Sequence, residues 1–156
     1  MRNLRPLCAI LTSGLVVGVL DIASAFAIWW QRGVALQRGL QGIASVLLGS
    51  SSYTGGIATA GLGLALHFFV TFVVVSIFYL ASRKLRFLTK RPFISGVLYG
   101  VAVYAVMYWV VLPTAFPTFR HRLSNELLEL AIHICLIGLL TAFIVRRYSE
   151  MTDQSS

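Results

Sequence analysis

Acidic side chains are scarce in this sequence: five Asp and Glu stand against thirteen Lys and Arg, for a formal net charge of +8. Charged residues of both signs make up 12% of the chain, about half the share found in an ordinary soluble domain. With 58% of residues hydrophobic, the chain cannot cover itself with a solvated surface, and a lipid bilayer is its expected solvent. The positive excess does not read as a nucleic-acid footprint, because the basic residues stand at the ends of apolar runs rather than along a stripe with interleaved aromatics. Cysteine is nearly missing too. Cys8 begins the first apolar run and Cys135 lies well inside the last, so different depths are expected, with no disulfide between them; two thiols make no zinc site. Both read as small packing residues. Phosphate-binding glycine loops and the patterns HExxH, GxSxG and CxxC are all lacking, so neither a catalytic residue nor a metal ligand set is expected.

Four apolar runs are present. The first, Leu7 to Trp30, has the basic start and the Ala25-Phe26-Ala27 pattern of a secretory signal, but it continues through Trp29 and Trp30 and is expected to stay as a membrane helix. Spans are expected at about 7–30, 57–81, 93–112 and 127–145, the third ending at Pro113. Between the first two, Leu36, Leu40, Ile43 and Leu47 recur on one helical face, with Arg38, Gln41 and Ser45 off it, which predicts a short amphipathic helix over 35–48 lying in the membrane interface. Residues 149–156 are polar and read as a disordered cytoplasmic tail. Lys and Arg distribute nine to four in favour of the side holding Arg2, Arg5, the 83–91 segment, Arg146 and Arg147, against Arg32, Arg38, Arg120 and Arg122. The positive-inside bias therefore puts both termini in the cytoplasm, with Trp29, Trp30, Tyr53, Tyr108 and Trp109 toward the outer interface. The basic 83–91 segment could also bind anionic lipid headgroups.

The runs pair by sequence. Ser13-Gly14-x-x-x-Gly18 matches Ser95-Gly96-x-x-x-Gly100, and Leu64-Ala65-Leu66-His67 matches Leu130-Ala131-Ile132-His133. Each unit holds two spans, so the copies enter the membrane in the same direction, a parallel repeat about an axis along the membrane normal. The expected fold is an all-α integral membrane four-helix bundle of two parallel two-helix repeats, plus the interfacial helix. Small residues at helical spacing, Gly14 and Gly18, then Gly56, Ala60 and Gly63, then Gly96 and Gly100, mark faces where helices approach closely. Gly14, Gly18, Gly96 and Gly100 are also candidate contacts for a homo-oligomer or a membrane partner subunit.

Polar atoms collect at one level. Asp21 lies nine residues before Trp30 and His67 ten after Ile57, each about 13 to 15 Å below the outer surface, so an Asp21–His67 hydrogen bond is expected. Tyr104 falls near that level, with His133 somewhat shallower and Glu129 one turn above His133. Three readings of this layer compete. It can be structural, fixing helix register in an assembly component. It can serve transport or a proton-linked step, since an intramembrane Asp and His exchange protons. Or His67 and His133 can be the two axial ligands of a haem across the repeat axis.

At Ile43 to Gly49, Gly55-Gly56, Thr59 to Gly63 and Leu66-His67, followed by Gly96-x-x-x-Gly100 and Val111-Leu112-Pro113, the chain resembles a group of small four-helix bacterial inner-membrane proteins described only as uncharacterised. The resemblance covers most of residues 14–115 and implies four spans in a bacterial inner membrane. It implies no substrate, cofactor or catalytic residue.

Overall fold

Inside a bilayer every backbone N–H and C=O must bond within its own segment, which leaves the helix as the natural form for runs of this length and composition. In the computed structural model, which describes residues 4–116 and 123–153, with side chains over 6–116 and 126–150, the chain is all-helical and no described residue forms a strand. Helix α1 spans Leu4–Gln31, α2 Leu36–Leu48 and α3 Gly56–Lys84. A 3-10 turn, Gly49–Tyr53, joins α2 to α3, and a single-turn helix α4, Phe87–Lys90, follows α3. Helix α5 runs Pro92–Ala115 and α6 covers 123–153. Four segments, Pro6–Gln31, Gly56–Lys84, Pro92–Ala115 and Glu126–Glu150, are long and apolar enough to cross a membrane. Their large side chains face outward along much of that length; Leu15, Phe69, Leu80, Leu98 and Trp109 are all more than half exposed. Water would penalise such a surface and hydrocarbon does not.

Two long helices contain wide turns. Residues Met107–Val111 of α5 and His133–Leu139 of α6 wind as π-helix. In α5 this carries the helix past its expected stop at Pro113: the Leu112 N–H bonds the Met107 carbonyl five residues back. A proline blocks the ordinary four-residue ladder, and the π turn re-pairs the backbone just ahead of it, so the helix continues to Ala115. Pro92 sits in the first turn of α5, where its missing N–H is not needed. At the other end α6 remains helical to Asp153, where a disordered tail was expected from residue 149; residues 154–156 and the Arg120–Arg122 loop lie outside the described residues.

The end holding both termini is the densely packed one. Ala9, Phe78, Tyr79, Ala142 and Val145 form a buried cluster there, flanked by Tyr99 and Tyr148, and Val17, Val103 and Ile137 form a second cluster deeper in. The Tyr99 hydroxyl donates to the Val74 carbonyl at 2.6 Å, tying α5 to α3. Helices α5 and α6 meet backbone to backbone. A methyl group on Gly96 would lie 2.9 Å from Leu139 Cα, one on Gly100 would lie 2.6 Å from the His133 carbonyl oxygen, and one on Gly138 would strike the Gly96 carbonyl. Gly14 and Gly18 of α1 are instead covered by the Phe72 and Phe68 rings of α3. All four glycines expected as oligomer contacts are thus occupied within one chain.

Helix α2 docks on the first half of α3 with its polar side inward. Gln41, Ala44 and Ser45 are buried, whereas Leu36 and Leu47 of the apolar stripe are exposed. Gln41 Nε2 donates to the Gly56 carbonyl at 3.0 Å, and the Leu40 carbonyl rests where a side chain at Gly63 would stand. Of the small-residue stripe on α3, Ala60 and Gly63 are buried. Gly56 is not a packing residue: a methyl group there meets nothing, and its φ of +61° marks it as the turn into α3.

Candidate functional site

Above the deeper cluster, on the side away from the termini, the helices part around a cavity of about 480 Å³ lined by residues of α1, α2, α3, α5 and α6. Its walls are mostly apolar, among them Ile28, Ile43, Val70, Val103 and Met107, and into them project Asp21, His67, Glu129 and His133, with Arg32 at one edge. Three spans bring these groups together: Asp21 from α1, His67 from α3, and Glu129 and His133 from α6.

The hydrogen-bond directions fix much of the chemistry. His67 Nε2 lies 2.9 Å from the Gly18 carbonyl oxygen; a carbonyl only accepts, so Nε2 carries a hydrogen. The other ring nitrogen, Nδ1, lies 3.9 Å from Asp21 Oδ2. That separation suits an ion pair or a bridging water but is too long for the direct hydrogen bond expected between these residues. Among the described residues Asp21 has no donor at hydrogen-bond distance from its carboxylate; the Ser24 hydroxyl bonds its backbone carbonyl instead.

On α6 the pattern differs. His133 is buried and its Nδ1 donates to the Glu129 carbonyl oxygen at 2.8 Å, so the link between them runs through the backbone rather than the Glu129 carboxylate. The Glu129 carboxylate faces the cavity near the Tyr108 hydroxyl and Arg32. Asp21, His67, Glu129 and His133 all line this one cavity, so their charges face one another across it. Tyr104 stacks on Tyr108 with ring centroids 4.7 Å apart and meets His133 edge-on at 5.7 Å, while its hydroxyl reaches Glu126 at 3.4 Å. Tyr104 thus packs beside the cavity without lining it. Both π segments border this site, since Met107 and Val111 lie in one and His133 and Ile137 in the other.

No known family model, curated protein or solved structure matches this chain.

The geometry speaks against haem. An axial histidine ligates through the nitrogen opposite its hydrogen-bonded one, and His67 would present Nδ1, the crowded nitrogen facing Asp21, while its Nε2 stays on Gly18. His133, with Nδ1 on a carbonyl, has the usual orientation, but one such ring does not make a bis-histidine site. No group of three or more His, Cys, Asp or Glu suited to a metal ion occurs among the described residues. Both cysteines are free and exposed on helix surfaces, not packed inside. Two members of the site carried no sequence signal. Arg32 reads as a flanking charge just past the first span, and Tyr108 as a belt aromatic; only the packing of α1 and α5 against α6 brings them to Glu129.

Proposed function

We propose that this chain is a proton-exchanging membrane protein whose cavity binds a small, largely apolar solute, the transport-linked reading of its polar layer. The supporting observation is the state of Asp21. A layer serving only to fix helix register would close its carboxylates with direct hydrogen bonds. Asp21 instead opens on a cavity of small-ligand size. An intramembrane carboxylate without a donor takes up a proton or a cation, and His67 Nδ1 at 3.9 Å is placed to exchange that proton through one water.

In this reading the four spans form a bundle of two parallel helix pairs. Matching contacts in the two copies support the repeat: Gly18 meets His67 through a hydrogen bond and Gly100 meets the His133 carbonyl, while Gly14 packs on Phe72 and Gly96 on Gly138, each five residues beyond its histidine. The membrane is a bacterial inner membrane, as the resemblance to uncharacterised four-helix proteins implies, with both termini cytoplasmic and α2 at the outer interface. A second copy or a partner subunit would complete a path through the inner half, where the spans of one chain are tightly packed.

Reconstitution into liposomes carrying a pH-sensitive dye tests the proposal. Solute-dependent proton flux is expected, with Asp21→Asn abolishing it and His67→Ala lowering it at least about tenfold, while both variants elute as the wild type does in detergent. No flux over a broad solute panel, or full flux in Asp21→Asn, rejects the reading. Loss of both variants from the membrane would instead favour the structural role of an assembly component.

A further inference from the structure

A second cleft, unrelated to the polar cavity, opens at the end of the molecule that holds the termini. It is lined by Ser82, Arg83, Arg86, Thr89, Lys90, Arg146, Ser149 and Glu150, and encloses about 650 Å³. The last turn of α3, the short link after it and helix α4 supply Arg83, Arg86 and Lys90 in turn, and α6 supplies Arg146, so residues some sixty positions apart in sequence are brought to one opening. Four cations face a single carboxylate there, and Glu150 is already held by Arg146 Nε at 2.7 Å. The three hydroxyls are turned to backbone carbonyls: Ser82 to Tyr79, Thr89 to Arg86 and Ser149 to Val145. The donors left to a ligand are therefore the guanidinium and ammonium groups, a set that recognises phosphate oxygens.

We infer that this cleft binds the phosphate of an anionic phospholipid headgroup. Phosphate chemistry alone would also admit a free phosphate compound, but the surroundings favour lipid. Leu80, Leu85, Phe87 and Phe93 stand exposed at 62%, 58%, 45% and 62% on the same turns as the cations. Side chains of this kind beside a phosphate site are suited to acyl chains attached to that phosphate. Orientation alone requires positive charge on this side of the membrane, but it does not require that charge to converge on a cleft.

The test uses the full chain in nanodiscs of mixed phosphatidylglycerol and phosphatidylcholine, with bound lipid read by native mass spectrometry. Wild type should retain phosphatidylglycerol over phosphatidylcholine. The cleft variant Arg86→Gln/Lys90→Gln/Arg146→Gln should lose that preference about tenfold or more, while Lys84→Gln/Arg91→Gln/Arg147→Gln, which removes equal charge outside the cleft, should change it less than about threefold. Equal loss in both variants would show a diffuse surface field and overturn the site, as would wild type without lipid preference. Millimolar pyrophosphate that binds wild type in phosphatidylcholine discs, with no phosphatidylglycerol preference, would assign the cleft to a free phosphate compound and overturn the lipid inference. If the cleft variant fails to fold, the single variants Arg86→Gln and Lys90→Gln, on exposed side chains, carry the same comparison, with about a threefold loss each expected against none for Arg91→Gln.

Discussion

Glycines of this chain do different work at positions that look alike in sequence. Gly61 and Gly63 are two residues apart, yet a methyl group on Gly61 meets open space and one on Gly63 strikes the Leu40 backbone carbonyl. Gly63→Ala is expected to lower stability by roughly 1–3 kcal/mol, seen as a lower melting temperature in detergent, and Gly61→Ala to leave it unchanged or slightly raised. Equal melting temperatures would mean that α2 shifts freely away from α3. Sequence spacing alone singled out Gly63, Gly96 and Gly100, because small residues recurring every three or four positions leave a visible stripe. Gly138 was not legible: it lies alone among large neighbours on α6, and only the register of α5 shows that its missing side chain admits Gly96 and Gly100.

At the scale of elements, the four spans could be read from apolar run length, and their helical ends extend a few residues past the expected ones because helix hydrogen bonding outlasts hydropathy. Asp21 and His67 could be set at one level by counting rise along two helices, and they stand 3.9 Å apart. The π turns had no such signal. They depend on which carbonyl each N–H reaches, a choice made by packing and by Pro113 rather than by composition. The existence of α2 was legible from its period, but its orientation was not. Of the apolar stripe, Leu36 and Leu47 face outward while Ile43 reaches the cavity wall, and Gln41, off the stripe, faces in. Gln41→Leu should therefore cost about 1 kcal/mol through the lost bond to the Gly56 carbonyl and make the 31–56 region more open to protease. An unchanged digestion pattern would show that packing at Gly63 holds α2 by itself.

For the molecule as a whole, most of the surface along the spans is hydrocarbon, and a thiol on that surface reports its solvent. Cys135 is exposed, midway along the last span. In intact membranes it should resist a water-soluble maleimide, because hydrocarbon keeps that reagent from reaching it, and it should react fully once the protein is denatured in detergent. Rapid labelling in the membrane would place water against that face and would redraw the spans. The packing is also uneven along the membrane normal: tight where the termini lie, open around the polar cavity at the other end. That asymmetry came from the fold and not from any one run of residues, since each span is apolar over most of its length.

The inward polar side of α2 also constrains the order in which the protein is made. Gln41 takes its partners from Gly56 and Thr59, residues 15 and 18 positions later in the chain. During synthesis α2 therefore emerges before anything can satisfy it, and its side-chain amide must stay hydrated until the start of α3 arrives. The buried seat of Gln41 is therefore complete only once the first turns of α3 stand beside α2. Gly33 and Gly49, both at positive φ, bound α2 on its two sides, so the helix is set against α3 through two turns whose backbone glycine adopts without strain.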